Sequence, residues 1–131
     1  MPDLNKVFPS PIKRTAGEAI ESHVSAYLQK QGFQLLHRNF RCRLGEIDLI
    51  GLYQNQLLFV EVRFRRNTAY GGAAASVDFR KQQKLIKTAR FFLLKYPKMA
   101  SYACRFDVVA VTLSNEADHE LKIDWIQNAF C

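Results

Sequence analysis

Two carboxylates separated by a single chain reversal are the residues best placed to do chemistry. The segments Glu46-Ile47-Asp48-Leu49-Ile50 and Leu58-Phe59-Val60-Glu61-Val62-Arg63 flank a polar break at Tyr53-Gln54-Asn55-Gln56. Folded back through a four-residue loop, this stretch sets Leu52 opposite Leu57 and Asp48 opposite Glu61. Residues facing each other across an antiparallel pair hold their Cβ atoms roughly 5 Å apart, so two like charges there repel unless something bridges them. A hard divalent cation is the natural bridge. Oxygen ligands at that spacing suit Mg²⁺ or Mn²⁺, and such an ion activates water and stabilises charge on a phosphoryl oxygen. The same register sets Glu46 opposite Arg63 as a cross-strand ion pair. The spacing equally describes an exposed sheet face of solvated charges, and a one-residue slip would send the two carboxylates to opposite faces.

The elements that must hold this pair follow from periodicity. Ala16, Ile20, Val24, Tyr27 and Leu28 recur at helical spacing and Gly32 supplies a stop, which predicts a helix over 16–31. Short strands are expected at about 34–39, 47–52 and 57–64. The third places Leu58, Val60, Val62 and Phe64 on one face and Phe59, Glu61, Arg63 and Arg65 on the other, so the second face is the chemical one. Residues 66–76, with the pair Gly71-Gly72, form a long connection that either joins elements plainly or covers the site. A second helix is expected over 78–96, ended by Pro97, with Gln82, Leu85, Ile86, Ala89, Leu93 and Tyr96 turned inward. Gln82 is the polar exception on that face, able to hydrogen-bond within the site or to cap a strand. Arg80, Lys84 and Lys87 form a basic stripe on the other side, suited either to a phosphate backbone or to plain solvation.

Val108-Val109-Ala110-Val111 reads as a strand over 105–112 buried on both faces, and 122–126 as a last strand carrying Trp125. Helix, three strands, helix, two strands predicts an α/β fold, a mixed central β-sheet flanked by helices. Asp107 falls in a buried strand and needs a partner such as Arg105.

With 131 residues, 48% of them apolar and 24% charged, the chain has the make-up of one soluble globular domain, expected over 15–131 after a loose arm at 1–14 bearing Pro2, Pro9 and Pro11. It shows no apolar run approaching the ~18 residues of a membrane span and no signal-peptide pattern, so no membrane partner and a cytoplasmic location are expected. A net charge of +7 favours an anionic partner such as nucleic acid. Cys42, Cys104 and Cys131 have no zinc-ligand spacing and are expected to be reduced bystanders. The isolated His23, His37 and His119 enter no site.

Gly17-Glu18, Asn39-Phe40-Arg41-Cys42-Arg43, Gly45-Glu46-Ile47-Asp48-Leu49-Ile50, Phe59-Val60-Glu61-Val62-Arg63, Lys81, Arg105-Phe106-Asp107-Val108 and Asn128-Ala129-Phe130 together resemble the bacterial YraN-like family. That family looks like a member of the restriction-endonuclease-like PD-(D/E)XK superfamily, similar in pattern to Holliday-junction resolvases. The resemblance implies a restriction-endonuclease-like fold, with Asp48, Glu61 and the Val62 carbonyl as ligands of Mg²⁺ or Mn²⁺ and Glu18 reaching in from the first helix. Glu18 also closes a capping box, Thr15-Ala16-Gly17-Glu18, which gives it a purely structural role to play. Where the superfamily carries a lysine two positions after the glutamate, this chain has Arg63. Arginine holds its proton and offers charge but no base, so either the ion alone activates water or Lys81 substitutes.

The function expected is a metal-dependent endonuclease-like protein acting on DNA, possibly branched or single-stranded, with Arg65, Arg80, Lys81, Lys84 and Lys87 along the nucleic acid and Gln82 in support. The alternatives are a non-catalytic nucleic-acid-binding module on the same fold and a protein-interaction module whose basic surface is incidental.

Overall fold

The computed structural model describes residues 16–65, 77–113 and 121–130; the expected arm over 1–14, the capping Thr15, the connection over 66–76 and Cys131 lie outside the described residues. Helices α1 (Ala16–Lys30) and α2 (Phe79–Lys95) accompany five strands, β1 (Gln34–Cys42), β2 (Gly45–Tyr53), β3 (Gln56–Arg65), β4 (Ala103–Leu113) and β5 (Leu121–Phe130). The strands form one sheet in the order β1-β2-β3-β4-β5, antiparallel except for the parallel pair β3 and β4. Parallel neighbours need a long crossover, and α2 lies within it. The α/β architecture is the expected one, a mixed sheet between helices, consistent with a restriction-endonuclease-like fold. None of the described helices is long and apolar enough to cross a membrane.

The β2–β3 hairpin is tighter than its composition suggested. Tyr53 pairs with Gln56 and Leu52 with Leu57, leaving only Gln54 and Asn55 in the turn. Both are left-handed, with φ of 50° and 64°, the pattern of the two-residue turn whose twist matches that of its strands. The register is the one the sequence predicts, and it continues to Leu49 opposite Val60.

Each sheet face receives one helix. On one side Leu85, Ala89 and Phe92 of α2 pack over Phe40, Ile47, Ile50, Leu57, Phe59, Val108 and Ala110. On the other, Val24 and Leu28 of α1, with Phe33, cover Leu49, Leu58, Val60, Val109 and Val111. The buried stripe of α2 runs through Leu85, Thr88, Ala89 and Phe92; of the other residues expected inward, Leu93 and Tyr96 pack half-buried against this core, while Gln82 and Ile86 are half-buried beside it. Phe92 sets that rotation, meeting Phe40 at 5.1 Å, His37 at 5.3 Å and Phe59 at 5.9 Å. Thr88 tolerates burial because its hydroxyl donates to the Lys84 carbonyl at 2.8 Å. Gly51 in β2 has no room for a side chain: a Cβ there would collide with the Gln34 carbonyl and the Phe33 ring.

Asp107, fully buried, is satisfied throughout. Arg105 grips it in a fork at 3.0 and 3.1 Å, Trp125 Nε1 donates at 2.8 Å and the Asn128 N–H at 2.9 Å. A bidentate guanidinium and two neutral donors fill the lone pairs of a desolvated carboxylate, which makes this a structural clamp between β4 and β5. Cys42 and Cys104 are free thiols.

Candidate functional site

The site begins with a local irregularity in two strands. His37 and Phe40 of β1 both meet Phe92, and Ile47 and Ile50 of β2 both join the same core, three residues apart where a regular strand alternates every two. Between them the ladder steps from Arg38–Leu49 to Phe40–Ile47 without pairing Asn39 and Asp48. Asn39 absorbs the misstep in a left-handed conformation, φ 52°, which asparagine tolerates better than other side chains. Asp48 is thereby released sideways toward β3, where its Oδ2 accepts the Val62 N–H at 2.8 Å. That N–H lies beyond the last β2–β3 ladder pair, so a carboxylate takes the place of a strand carbonyl.

This brings Asp48 against Glu61. Glu61 is only 7% exposed and hydrogen-bonds to Asp48. Burial first, then the hydrogen bond to Asp48 and its charge, push the Glu61 carboxyl up to about 8 from an ordinary 4.5, while Lys81 and Arg63 pull it down. A carboxyl raised this far keeps its proton at neutral pH, on the Glu61 side of the pair. Lys81 Nζ stands 3.6 Å from Glu61 Oε2. The residue is delivered by the first turn of α2, whose N-cap Asp78 accepts the Lys81 N–H at 2.8 Å.

A third carboxylate arrives from α1, and it is Glu21. Burial, then the charge of Asp48, raise Glu21 to about 7 from 4.5, against the opposing pull of Arg38. With its amide oriented to satisfy both neighbours, Asn39 donates to Glu21 Oε1 at 2.8 Å and to Glu46 Oε1 at 3.0 Å, tying α1 to β2. Glu18 is exposed, and its charge reaches Glu21. Sequence reasoning missed Glu21, although it precedes Val24 by three and Leu28 by seven residues and so continues the buried stripe of α1.

Asp48, Glu61, Arg63 and Lys81 therefore converge, with Val62 contributing its N–H to Asp48. The expected Glu46–Arg63 pair is not what forms. Glu46 bonds Arg41 of β1 at 3.0 Å instead, because the β1–β2 register sets those two opposite each other. Gln82 does not enter the site either; its Nε2 donates to the Val77 carbonyl at 2.9 Å and secures the entry into α2. Arg80, Lys81 and Lys84 line a cleft of about 370 Å³ with Gly45, Glu46, Asp78 and Leu85, between the β1–β2 turn and the start of α2. Lys87 is exposed on α2 and does not line it, and the Arg65 side chain is not among the described positions.

A family profile described as the uncharacterised protein family UPF0102 matches residues 20–111. The chain belongs to the UPF0102 family. A UPF0102 protein of Stutzerimonas stutzeri is 48% identical over 117 residues, covering 89% of this chain and 95% of the relative. One from Pseudomonas putida strain GB-1 is 46% identical over 122 residues, 93% of this chain and 98% of the relative, and one from Pseudomonas savastanoi is 41% identical over the same length and coverage. This is the membership that the YraN-like motifs implied. The UPF0102 span holds Glu21, Asp48, Glu61, Arg63 and Lys81; Glu18 precedes it.

The donor set suits a hard divalent ion of the Mg²⁺ type. Among the described residues no three His, Cys, Asp or Glu side chains form a ready-made metal cage. Asp48 and Glu61 are the two carboxylates that could hold such an ion, since Mg²⁺ commonly takes only one or two carboxylates from a protein and keeps several waters.

Proposed function

We propose that the protein is a metal-dependent nuclease-like hydrolase that cuts phosphodiester bonds of DNA in the cytoplasm. The observation that carries this reading is the half-buried Asp48 against the buried Glu61, with the Lys81 ammonium 3.6 Å from Glu61. A divalent ion held by Asp48 and Glu61 would polarise a phosphoryl oxygen and acidify a water. The chain's own residues supply the rest. The Val62 N–H fixes the Asp48 carboxylate, so that its second oxygen is aimed without reorganisation. Arg63 offers permanent charge near Glu61, suited to the extra negative charge of a pentacoordinate phosphorus. Lys81 offers charge and, unlike arginine, an amine able to exchange a proton with the attacking water or the leaving oxygen. In this arrangement Lys81 takes over the work that the missing lysine at position 63 would do. Arg80 and Lys84 hold flanking phosphates in the cleft.

The test is cleavage of end-labelled flap, junction, single-stranded and duplex DNA with Mg²⁺ or Mn²⁺, compared with EDTA. Wild type is expected to cut at least one substrate in a metal-dependent manner, and Asp48→Asn and Glu61→Gln to cut none. A wild type that binds DNA with salt-dependent affinity yet cuts nothing would replace this reading with a binding module.

A further inference from the structure

Helix α2 is apolar on two opposite sides. Leu85, Thr88, Ala89 and Phe92 meet the sheet, yet Phe79, Phe91 and Leu94 are 73%, 42% and 81% exposed. At about 100° per residue these three fall within about 120° of arc, centred nearly opposite the buried stripe, and they span about 22 Å of the helix. Every other exposed residue of α2 is an arginine or a lysine. Residues 79–102 hold seven of the chain's nineteen cations and none of its twelve carboxylates. The twelve cations and twelve carboxylates elsewhere cancel, so the whole net charge of +7 lies on this helix and the turn after it. A solvated helix face ordinarily mixes both signs and carries few large apolar side chains. The partner for this one must take cations and hydrocarbon together. A phosphate backbone takes the cations but leaves Leu94 in water. A second copy brings the same concentrated positive charge against it. A peptide docks in a groove or on a free strand edge, and the outward back of a helix is neither. An anionic bilayer surface takes both, with headgroup phosphates against the cations and the acyl boundary against the apolar side chains, along a helix lying flat.

We propose that the outward face of α2 is a docking surface for an anionic lipid bilayer, with Phe91 and Leu94 entering the acyl boundary and Lys87, Arg90 and Lys95 on the headgroups. The helix lies on the bilayer and does not cross it. Lys81, which meets Glu61, points about 140° away from Leu94 around the same helix, so the docked face leaves the carboxylate pair uncovered. The proposal therefore stands or falls apart from any cutting of DNA.

The experiment is co-sedimentation at low salt with vesicles of phosphatidylglycerol and phosphatidylcholine in about equal parts, and with phosphatidylcholine alone, for wild type, Leu94→Ser, Arg90→Gln and Leu94→Trp. Wild type is expected to pellet with the mixed vesicles only and to be released by about 0.5 M salt. Leu94→Ser should bind the mixed vesicles about tenfold more weakly and Arg90→Gln about fivefold, both staying folded because neither side chain is buried. Leu94→Trp should keep the affinity and shift its emission to the blue on the vesicles, beyond any change in wild type, whose single tryptophan is Trp125. Wild type left in the supernatant, or pelleting equally with phosphatidylcholine alone, overturns the proposal. Leu94→Ser bound as tightly as wild type, or Leu94→Trp emission unmoved, does the same. An equal loss by Leu94→Ser on a duplex of about 20 base pairs would give the face to nucleic acid instead. A wild-type dimer that Leu94→Ser turns into a monomer would give it to a second copy, and either result also overturns the proposal.

Discussion

Replacing Glu61 by glutamine should abolish most of a pH dependence that the wild-type fold carries in the absence of divalent ions. The carboxyl moves from 4.5 when unfolded to about 8 when folded. Between those values the folded chain holds a proton that the unfolded chain has released. Stability from this group is therefore complete below about pH 4.5, declines as pH rises, and is lost above about pH 8. At about 1.4 kcal/mol per unit, the gap of 8 less 4.5 sets a ceiling near 5 kcal/mol. Lys81, whose side chain is 38% exposed, admits water beside the pair, so about 2–3 kcal/mol is the expected loss. Glu21 adds a smaller decline of the same sign, reduced by its partial exposure. Glutamine matches the shape, donates to Asp48 and does not titrate. Urea unfolding in EDTA, followed by Trp125 fluorescence at about pH 5 and about pH 8.5, reads the difference. Wild type should lose about 2–3 kcal/mol and Glu61→Gln less than about 1 kcal/mol, making the variant the more stable protein at the higher pH. Mg²⁺ or Mn²⁺ should restore wild type there and leave the variant unmoved. A flat wild-type profile, or the same slope in the variant, would refute the proton held on Glu61.

Asp48→Asn should weaken Mn²⁺ binding measured by calorimetry while keeping or slightly raising stability, since an amide oxygen still accepts the Val62 N–H and the charge that opposes ionisation of Glu61 is gone; equal affinities would remove Asp48 from the site. Lys81→Met should lower metal-dependent cleavage by about 10²-fold or more, and Lys81→Arg, which restores charge alone, should not rescue it; a fully active arginine variant would reduce Lys81 to an electrostatic role. Neutralising Arg80, Lys84 and Lys87 together should lower the slope of log K against log salt on duplex DNA by about 0.9 per lost phosphate contact, with Lys87, outside the cleft, contributing least. Asp107→Asn should cost about 3–5 kcal/mol in unfolding experiments by leaving Arg105 buried beside a neutral partner, while the folded variant keeps its Mn²⁺ affinity; a loss of metal binding without a loss of stability would make Asp107 part of the chemistry.

The parts of this architecture written in local pattern were legible, and those written in contacts between elements were not. Leu52 and Leu57 around a polar break fixed the β2–β3 register, and the run from Val108 to Val111 marked the doubly buried strand. The proximity of Asp48 and Glu61 followed from that register, though the Asp48–Val62 bond did not. That bond depends on Asn39 turning left-handed in a neighbouring strand, a conformation imposed by packing on both sheet faces. The β2–β3 hairpin alone sets Glu46 toward Arg63; β1, lying on the other side of β2, supplies Arg41 instead. The rotation of α2 was set by Phe92, which finds two aromatic rings from β1, one from β3 and that of Tyr96 just past its own helix, a preference invisible in the helix's own periodicity. Glu18 carries the legible capping pattern, whereas Glu21 is marked only by its spacing from Val24 and Leu28 and by contacts with Asn39 and Asp48 that come from other strands.

The bare backbone at Gly51 turns α1 into a lever. Phe33 follows the C-terminal end of α1 and rests where a Gly51 side chain would stand, so this contact is the pivot about which the helix is set. Glu21 lies nine residues from Lys30, about 14 Å along the rod at 1.5 Å per residue. A tilt of about 5° at the pivot, of the kind a single methyl group would force on Phe33, displaces that far carboxylate by about 1 Å, enough to matter in a site that depends on placement. A glycine beneath the far end of α1 thus governs the reach of that helix toward Asp48, and a Gly51→Ala protein that still folds should differ from wild type in Mn²⁺ affinity although no proposed ligand is changed.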